Sequence, residues 1–119
     1  MVDACQSAGS MKFNFDDLEA DILISSTHKH MYGIPGLGFI IHREGIQINP
    51  LIFGGNGQRS ASMRQSEVMP YIMESGTVNT PAMLALLGGL DFLNENRDAH
   101  KHEENLLQYF INKCDNFKA

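Results

Sequence analysis

Three short segments hold the residues whose types and spacing could do chemistry. Asp3 and Gln6 lie three positions apart, residues 26–29 place a histidine directly before Lys29, and residues 74–81 form a polar run. A lysine amine transfers protons and bonds covalently to carbonyl groups, and a histidine ring transfers protons. Each segment alone has an ordinary explanation as a turn residue or a solvated side chain. Only their order along one chain can indicate a function.

The composition restricts the class of protein. A chain of 119 residues is long enough for about one domain. It has 9 Lys and Arg against 14 Asp and Glu, a net charge of −5, which argues against non-specific binding to nucleic acid. No apolar run reaches the roughly 18 residues of a membrane helix, and the first residues lack the pattern of a signal peptide. These features predict an acidic cytoplasmic protein that binds neither nucleic acid nor a membrane.

The two cysteines, Cys5 and Cys114, are far apart and lack the spacing of metal ligands. They favour a reducing compartment over a disulfide framework, and no metal site is predicted. Cys114 falls on the apolar stripe of a predicted helix, so we expect it to pack in the core.

The first half of the chain shows strand patterns with one short helix between them. Residues 2–6 are predicted to be the end of a strand that runs into a loop, and strands are predicted over residues 21–25 and 39–43. The strand over 21–25 is continuously apolar, which is typical of a strand buried on both faces in a parallel sheet. A short helix is predicted to begin at residues 15–19, with Asp16 as its cap and Glu19 completing a capping box.

The second half shows a loop and then two helices. Residues 54–70 are rich in glycine and polar residues and predict a long loop. Thr80 followed by Pro81 is typical of a helix start, with the Thr80 hydroxyl expected to cap the helix. Apolar residues keep helical spacing in both predicted helices: Met83, Leu86, Leu87, Leu90 and Leu93 in the first, and Leu106, Leu107, Phe110, Ile111, Cys114 and Phe117 in the second. Together the elements predict an α/β class.

Four motifs in this order resemble those of the class-V aminotransferase family, in its cysteine desulfurase and selenocysteine lyase branch. The matching residues are Val-Asp-Ala-Cys-Gln at 2–6, Ser-Thr-His-Lys at 26–29, Tyr-Gly at 32–33 with Gly-Leu-Gly at 36–38, and Glu-Ser-Gly-Thr-Val-Asn-Thr-Pro at 74–81. The resemblance implies the fold type I architecture of enzymes that use pyridoxal 5'-phosphate (PLP). Such enzymes are far longer, so residues 1–119 are expected to be a partial PLP-binding large domain, without its N-terminal half and without the C-terminal small domain.

The resemblance also implies the cofactor contacts. Lys29 is expected to be the catalytic residue that forms the Schiff base with PLP and moves the substrate proton. A buried Asp3 carboxylate would keep the pyridine nitrogen protonated, which strengthens PLP as an electron sink. Gln6 would contact the ring oxygen. Ser26 and His28 would contact the cofactor phosphate.

Thr77 is expected, by the same resemblance, to reach the phosphate in the neighbouring subunit of a homodimer. Two positions depart from the family pattern. Cys5 replaces a usual Ala or Ser and is not expected to carry sulfur, and Ile72 replaces a usual polar residue. The segment 57–69 resembles a sub-branch with a longer loop.

The implied parent enzyme takes sulfur from cysteine, gives alanine and an enzyme persulfide, and passes the sulfur to an acceptor protein. The isolated chain is expected to be inactive. The substrate stays open among amino acids, so an aminotransferase or lyase acting on another amino acid is an alternative. A catalytically inactive α/β fragment and a plain interaction domain are further alternatives.

Overall fold

The structure is a computed structural model that describes residues 1–57 and 61–115. Three strands form one sheet in the order β1-β2-β3. β1 is Val2–Asp3, β2 is Ile22–Ser26 and β3 is Gly38–His42. β1 runs parallel to β2, and β3 runs antiparallel to it. Two helices follow, α1 over Thr80–Glu95 and α2 over Ala99–Asp115, which confirms the predicted α/β class.

The central strand β2 carries the core of the sheet. Leu23 is almost fully buried and forms a cluster with Ala4 and Ala8 from the segment after β1. Ile22 and Ile24 are only half-buried, so the prediction of a strand buried on both faces in a parallel sheet is wrong for this chain. The reason is that β2 has one parallel neighbour of two residues and one antiparallel neighbour, and little covers its other face.

The predicted strand boundaries need small corrections. β2 and β3 each lie one position away from the predicted ranges, whereas β1 ends at Asp3 and runs into a turn, as predicted for residues 2–6. The chain turns at Ala4, whose carbonyl oxygen accepts hydrogen bonds from the N–H groups of Ser7 and Ala8 at 3.1 and 2.8 Å. This turn removes the backbone of residues 5 and 6 from the strand.

The predicted helix at residues 15–19 is a single 3-10 turn over Phe15–Asp17. Its cap is Asn14, whose side-chain oxygen accepts from the N–H of Asp16, so the prediction that Asp16 caps this helix is wrong. Asn and Asp are comparable caps, and here the Asn14 side chain lies two positions before the N–H group that donates to it. The same correction applies to α1, where Asn79 and not Thr80 accepts from the N–H of Ala82.

The connection from β1 to β2 is fixed by Arg43, directly after β3. The Arg43 guanidinium donates to the carbonyl oxygens of Ala20 and Leu18, both at 2.9 Å, and of Phe15 at 3.1 Å. It also lies over the Phe15 ring, 4.9 Å from the centroid. The planar guanidinium suits such a set of carbonyl oxygens because its five donors have fixed directions.

Helix α1 contacts the chain between β2 and β3, where Gly89 lies against the backbone of residues 31 and 32. Ala82 and Gly89 are its buried positions, while the predicted apolar stripe is half-buried or exposed. The Asn79 side chain donates to the carbonyl oxygen of Gly36 at 3.3 Å, and this bond attaches the start of the helix to the turn before β3. The predicted loop over 54–70 contains no helix or strand in the part that the structure describes.

Helix α2 presents its apolar stripe to solvent. Leu106, Leu107, Phe110 and Ile111 are all exposed. Cys114 is exposed as well, so its predicted packing in the core is wrong for this chain, because no element covers that side of α2 in the described residues. Phe117, the last member of the predicted stripe, lies outside the described residues.

The chain is extended for its length. Its radius of gyration is 19.1 Å, against about 13.5 Å for a compact domain of this size. Its accessible surface is 9418 Å², against about 6,400 Å² for a compact monomer. Much apolar surface that a compact domain would bury is therefore exposed. Neither helix of the described residues is long and apolar enough to cross a membrane.

Candidate active site

The carboxyl ends of β1 and β2 bring the first two motifs together. The strands are parallel and pair Asp3 with Ile24, so Asp3 and Ser26 lie near the same edge of the sheet. The N–H of Ala4 donates to the carbonyl oxygen of Ile24 at 2.8 Å and continues the pairing beyond β1. Lys29 follows β2 by three residues, and its positive charge acts on the Asp3 carboxylate.

Asp3 is held as an anion. Hydrogen bonds from the thiol and the backbone N–H of Cys5 lower the pKa of Asp3, and the charge of Lys29 lowers it further. The backbone bond joins Cys5 N to Asp3 Oδ1 at 2.9 Å. The expectation of a buried carboxylate is wrong for this chain, because Asp3 is exposed where, within residues 1–57 and 61–115, no strand pairs with the outer side of β1.

Lys29 lies in a tight turn between Thr27 and Gly33. Thr27 is fully buried, and both its N–H and its Oγ1 donate to the carbonyl oxygen of Leu37 at 3.2 Å. The N–H of Gly33 donates back to the Thr27 carbonyl oxygen at 2.8 Å, which closes the turn. The backbone carrying Lys29 is therefore ordered while the Lys29 side chain is exposed.

Tyr32 has a left-handed backbone conformation. Its φ of +57° lies in the left-handed region, which is uncommon for a bulky residue and occurs mainly at turns and functional sites. Its N–H donates to the Lys29 carbonyl oxygen at 3.1 Å, and its ring meets Phe92 of α1 edge to face at 4.7 Å. No sequence signal predicts this conformation, since Tyr is an ordinary strand or helix residue.

The other predicted site residues are placed differently. Ser26 Oγ is buried and has no hydrogen-bond partner among the described residues. The side chains of Gln6 and His28 are exposed near the same edge. The Gln6 backbone oxygen accepts from Ser10 Oγ at 2.9 Å and holds the turn after β1.

Thr77 lies apart from these residues in the chain, at the closure of the long loop. The N–H of Gly76 donates to the Gly55 carbonyl oxygen at 2.9 Å. Gln65 bridges the two arms, because its side chain accepts from the N–H of Gly54 at 3.0 Å and donates to the Ile72 carbonyl oxygen. The loop therefore holds Thr77 exposed, and no hydrogen bond or ion pair given for the described residues joins Thr77 to Lys29.

The fold and this site define an α/β protein of the PLP fold type I class, with a lysine just past the carboxyl end of a parallel strand and a carboxylate at the same edge. The whole chain, residues 1–119, matches the model of the family "Aminotransferase class-V". The chain therefore belongs to the class-V aminotransferase family, whose members use PLP.

Proteins similar to this chain are described as cysteine desulfurases. The cysteine desulfurase IscS of Dictyoglomus turgidum is 35% identical over 96 residues, which cover 81% of this chain and 24% of that protein. The apo structure of a cysteine desulfurase from Thermococcus onnurineus NA1 has a TM-score of 0.81 with 28% identity, covering 96% of this chain and 30% of that one. A solved "NifS-like protein" has a TM-score of 0.72 with 30% identity, covering 96% and 28%.

The chain thus spans less than half the length of the relatives it matches, between 22% and 41% for three curated ones. The similarity confirms the family and fold that the four motifs predicted. It does not test the individual site residues, which stay predictions.

Proposed function

We propose that this chain is the part of a cysteine desulfurase-like enzyme that holds PLP, and that Lys29 is its Schiff-base lysine. One observation carries the proposal: the parallel pairing of β1 and β2 brings Asp3 and the turn that holds Lys29 to the same edge of the sheet, and the charge of Lys29 contributes to the lowered pKa of Asp3. This pair supplies an amine for an aldehyde and a negative charge for a pyridinium nitrogen. The matches to cysteine desulfurases support the choice of substrate class.

The side chains present fit the cofactor. Ser26 Oγ is a buried hydroxyl without a partner, and a phosphate oxygen would satisfy it at the cost of a small side-chain movement. His28, two residues further on, supplies a second donor for the phosphate. The Gln6 side chain is exposed and free to contact the ring oxygen.

When bound, PLP supplies an electron sink for the bonds at the substrate Cα. The chain's own residues do the rest. Lys29 Nζ binds the cofactor and then accepts or returns the substrate proton. The Asp3 carboxylate, kept ionised by its lowered pKa, retains a proton on the ring nitrogen.

In the proposed parent reaction, the sulfur of cysteine moves to a thiol of the enzyme, so that cysteine and a thiol become alanine and a persulfide. The Cβ–S bond of cysteine breaks and an S–S bond forms to the enzyme thiol, which loses its proton, while Cβ takes up a proton and becomes the methyl group of alanine. Cβ gains the two electrons that sulfur loses, so no external oxidant is needed. We assign the accepting thiol to neither cysteine of this chain. Cys5 is hydrogen-bonded to Asp3, and Cys114 lies on helix α2. A sulfur-acceptor protein would take up the product in the cytoplasm.

The extended shape supports the view that residues 1–119 are a partial large domain. The exposed stripe of α2 and the large accessible surface call for further covering surface, which the remainder of a longer enzyme would provide. The exposed Thr77, held beside the closed loop, suits a residue that contacts the cofactor of a second subunit in a homodimer. The isolated chain is then expected to lack activity.

Covalent capture of PLP tests the central assignment. The chain is mixed with PLP, reduced with borohydride and mapped by peptide mass spectrometry. We expect modification at Lys29 to exceed that at the exposed Lys12 by about tenfold, because Asp3 and Ser26 orient the cofactor there. Lys29→Ala should abolish the selective label, whereas Lys12→Ala should leave it. Equal labelling of all lysines would contradict the assignment of Lys29 as the Schiff-base lysine.

A second measurement separates the enzyme fragment from a complete catalyst. The exposed helix surface favours an incomplete protein, so the purified chain is expected to release no sulfide from cysteine when PLP and the thiol reductant dithiothreitol are both present. The reductant supplies the two electrons that convert persulfide sulfur into sulfide. Sulfide release that Lys29→Ala abolishes would show that the 119 residues suffice, and the partial-domain proposal would then be withdrawn.

A further inference from the structure

The backbone that follows Lys29 packs against two glycines from different parts of the chain. A Cβ atom at Gly9 would overlap the carbonyl group of His30, and a Cβ atom at Gly89 would overlap the carbonyl oxygen of Met31. The Gly89 Cβ would also lie 3.0 Å from the carbonyl carbon and oxygen of Tyr32. Side chains are absent from both contacts, so residues 30–32 meet backbone directly.

The two glycines come from the two elements that flank the proposed site. Gly9 lies in the connection after β1, close to Gln6, and has a φ of +93°. Gly89 lies in the middle of α1, where glycine costs about 1 kcal/mol relative to alanine. A glycine at an unfavourable helical position that touches another backbone has a packing reason to be there.

Residues 30–32, which contact Gly9 and Gly89, follow Lys29 directly and complete the turn that carries it. Tyr32 is in the left-handed conformation and donates to the Lys29 carbonyl oxygen at 3.1 Å. Its ring packs on Phe92, one helical turn beyond Gly89. Helix α1 therefore contacts the Lys29 turn at two successive points, through a backbone contact and through an aromatic pair.

We infer that Gly89, together with Gly9, is a positioning residue for Lys29: the absence of a side chain lets α1 hold the 30–32 backbone and thereby sets where the lysine amine lies. This inference rests on the proposed role of Lys29 in binding PLP. Restoring van der Waals contact to a methyl group at Gly89 requires a displacement of about 1 Å, and displacements of that size cost about 100-fold in reactions that need aligned groups.

The neighbouring glycine provides a matched control. A Cβ at Gly88 would meet nothing within 4 Å, although Gly88 lies in the same helix. Gly88→Ala and Gly89→Ala bring the same gain in helix propensity, so a difference between them isolates the contact with residues 31 and 32. Gly9→Ala is less suitable because its positive φ adds backbone strain of its own.

The experiment measures two quantities in the full chain for each variant. The first is borohydride-trapped PLP at Lys29. The second is hydrogen exchange of the peptide that contains the Tyr32 and Gly33 amides. We expect Gly89→Ala to lower capture at Lys29 by about tenfold or more and to accelerate exchange, and Gly88→Ala to match the wild type in both.

Phe92→Leu serves as a second variant, since it weakens the contact with Tyr32 without placing an atom against backbone. It should lower capture about threefold, an effect of the size of one aromatic pair. This variant decides the matter if circular dichroism shows that Gly89→Ala is unfolded.

The remaining outcomes overturn the inference. Equal capture in Gly89→Ala and the wild type, with or without faster exchange, leaves Gly89 as a packing residue only. An equal loss of PLP capture at Lys29 in Gly88→Ala and Gly89→Ala would likewise show that the contact of Gly89 with residues 31 and 32 does not position Lys29. If the wild type itself shows no selective capture at Lys29, the proposed function fails first, and the positioning role falls with it.

Discussion

The two main regions of the molecule, residues 1–43 and residues 80–115, differ in how much of their apolar surface is buried. The first region forms a sheet with a small core in which Leu23 is 2% exposed and Thr27 is fully buried. The second region consists of two helices whose buried positions are Ala82 and Gly89, while Leu107 on α2 is 60% exposed. The region that carries Lys29 is thus organised by contacts within the chain, whereas the helices present surface to something else.

The difference follows from how each region is connected. Strands satisfy their backbone groups only by pairing, so the sheet forces residues distant in sequence together, as Arg43 does with residues 15–20. Helices satisfy theirs internally and can stay exposed. The proposed chemistry therefore lies beside the small buried core of the sheet, and the apolar stripe that nothing in the described residues covers lies on α2.

The largest expected effect tests the claim that packing is unequal. Leu23→Ala removes a buried side chain and should lower the free energy of unfolding by about 2–5 kcal/mol. Leu107→Ala, the same change on the exposed face of α2, should alter it by less than about 0.5 kcal/mol. Urea unfolding followed by circular dichroism measures both. Similar losses for the two variants would mean that the α2 stripe is covered in solution, for instance by self-association.

A smaller effect is expected at the arginine that holds the sheet region together. Arg43→Ala leaves four carbonyl oxygens without their charged donor and should cost about 1.5–3 kcal/mol in urea unfolding. Arg43→Lys should recover less than half of the unfolding free energy that Arg43→Ala loses, because an ammonium group lacks the planar set of donors. Arg97→Ala, at an exposed position between the helices, is the control and should be nearly neutral. Full recovery by lysine would show that charge alone is needed.

The sequence predicted element types well and element ends poorly. The continuous apolar run at 21–25 and the Thr80-Pro81 start identified β2 and α1 within one residue. The caps were wrong because Asn14 and Asn79 compete with neighbouring residues of similar capping strength, and only tertiary position decides between them. The burial of Cys114 was wrong because helical spacing predicts which residues share a face and says nothing about what covers that face.

The candidate site shows the same limit. The resemblance selected the lysine and the carboxylate, and the structure places both at the ends of adjoining parallel strands. The exposure of Asp3 and the left-handed Tyr32 could not be predicted, because they depend on which elements stand beside the turn. The adjacent Gly88 and Gly89 within a helical pattern were the one available signal for the contact with α1.

The smallest expected effect concerns the charge of Asp3, which joins the two site motifs. Hydrogen bonds from Cys5 and the charge of Lys29 lower the pKa of Asp3 below its ordinary value of 3.8. A carboxyl group with a lowered pKa stabilises the folded chain above that ordinary value, and this contribution disappears as the pH falls through the folded-state pKa. Carboxyl NMR titration measures the pKa directly. Cys5→Ala should raise it most, because the thiol hydrogen bond is the largest cause, and Lys29→Ala should raise it less. Cys114→Ala removes the other thiol and should leave the titration unchanged. If the Asp3 pKa is the same in Lys29→Ala as in the wild type, the Lys29 amine lies too far from the Asp3 carboxylate for the two to form one site. Residues 1–43 would then contain a sheet core without a paired amine and carboxylate.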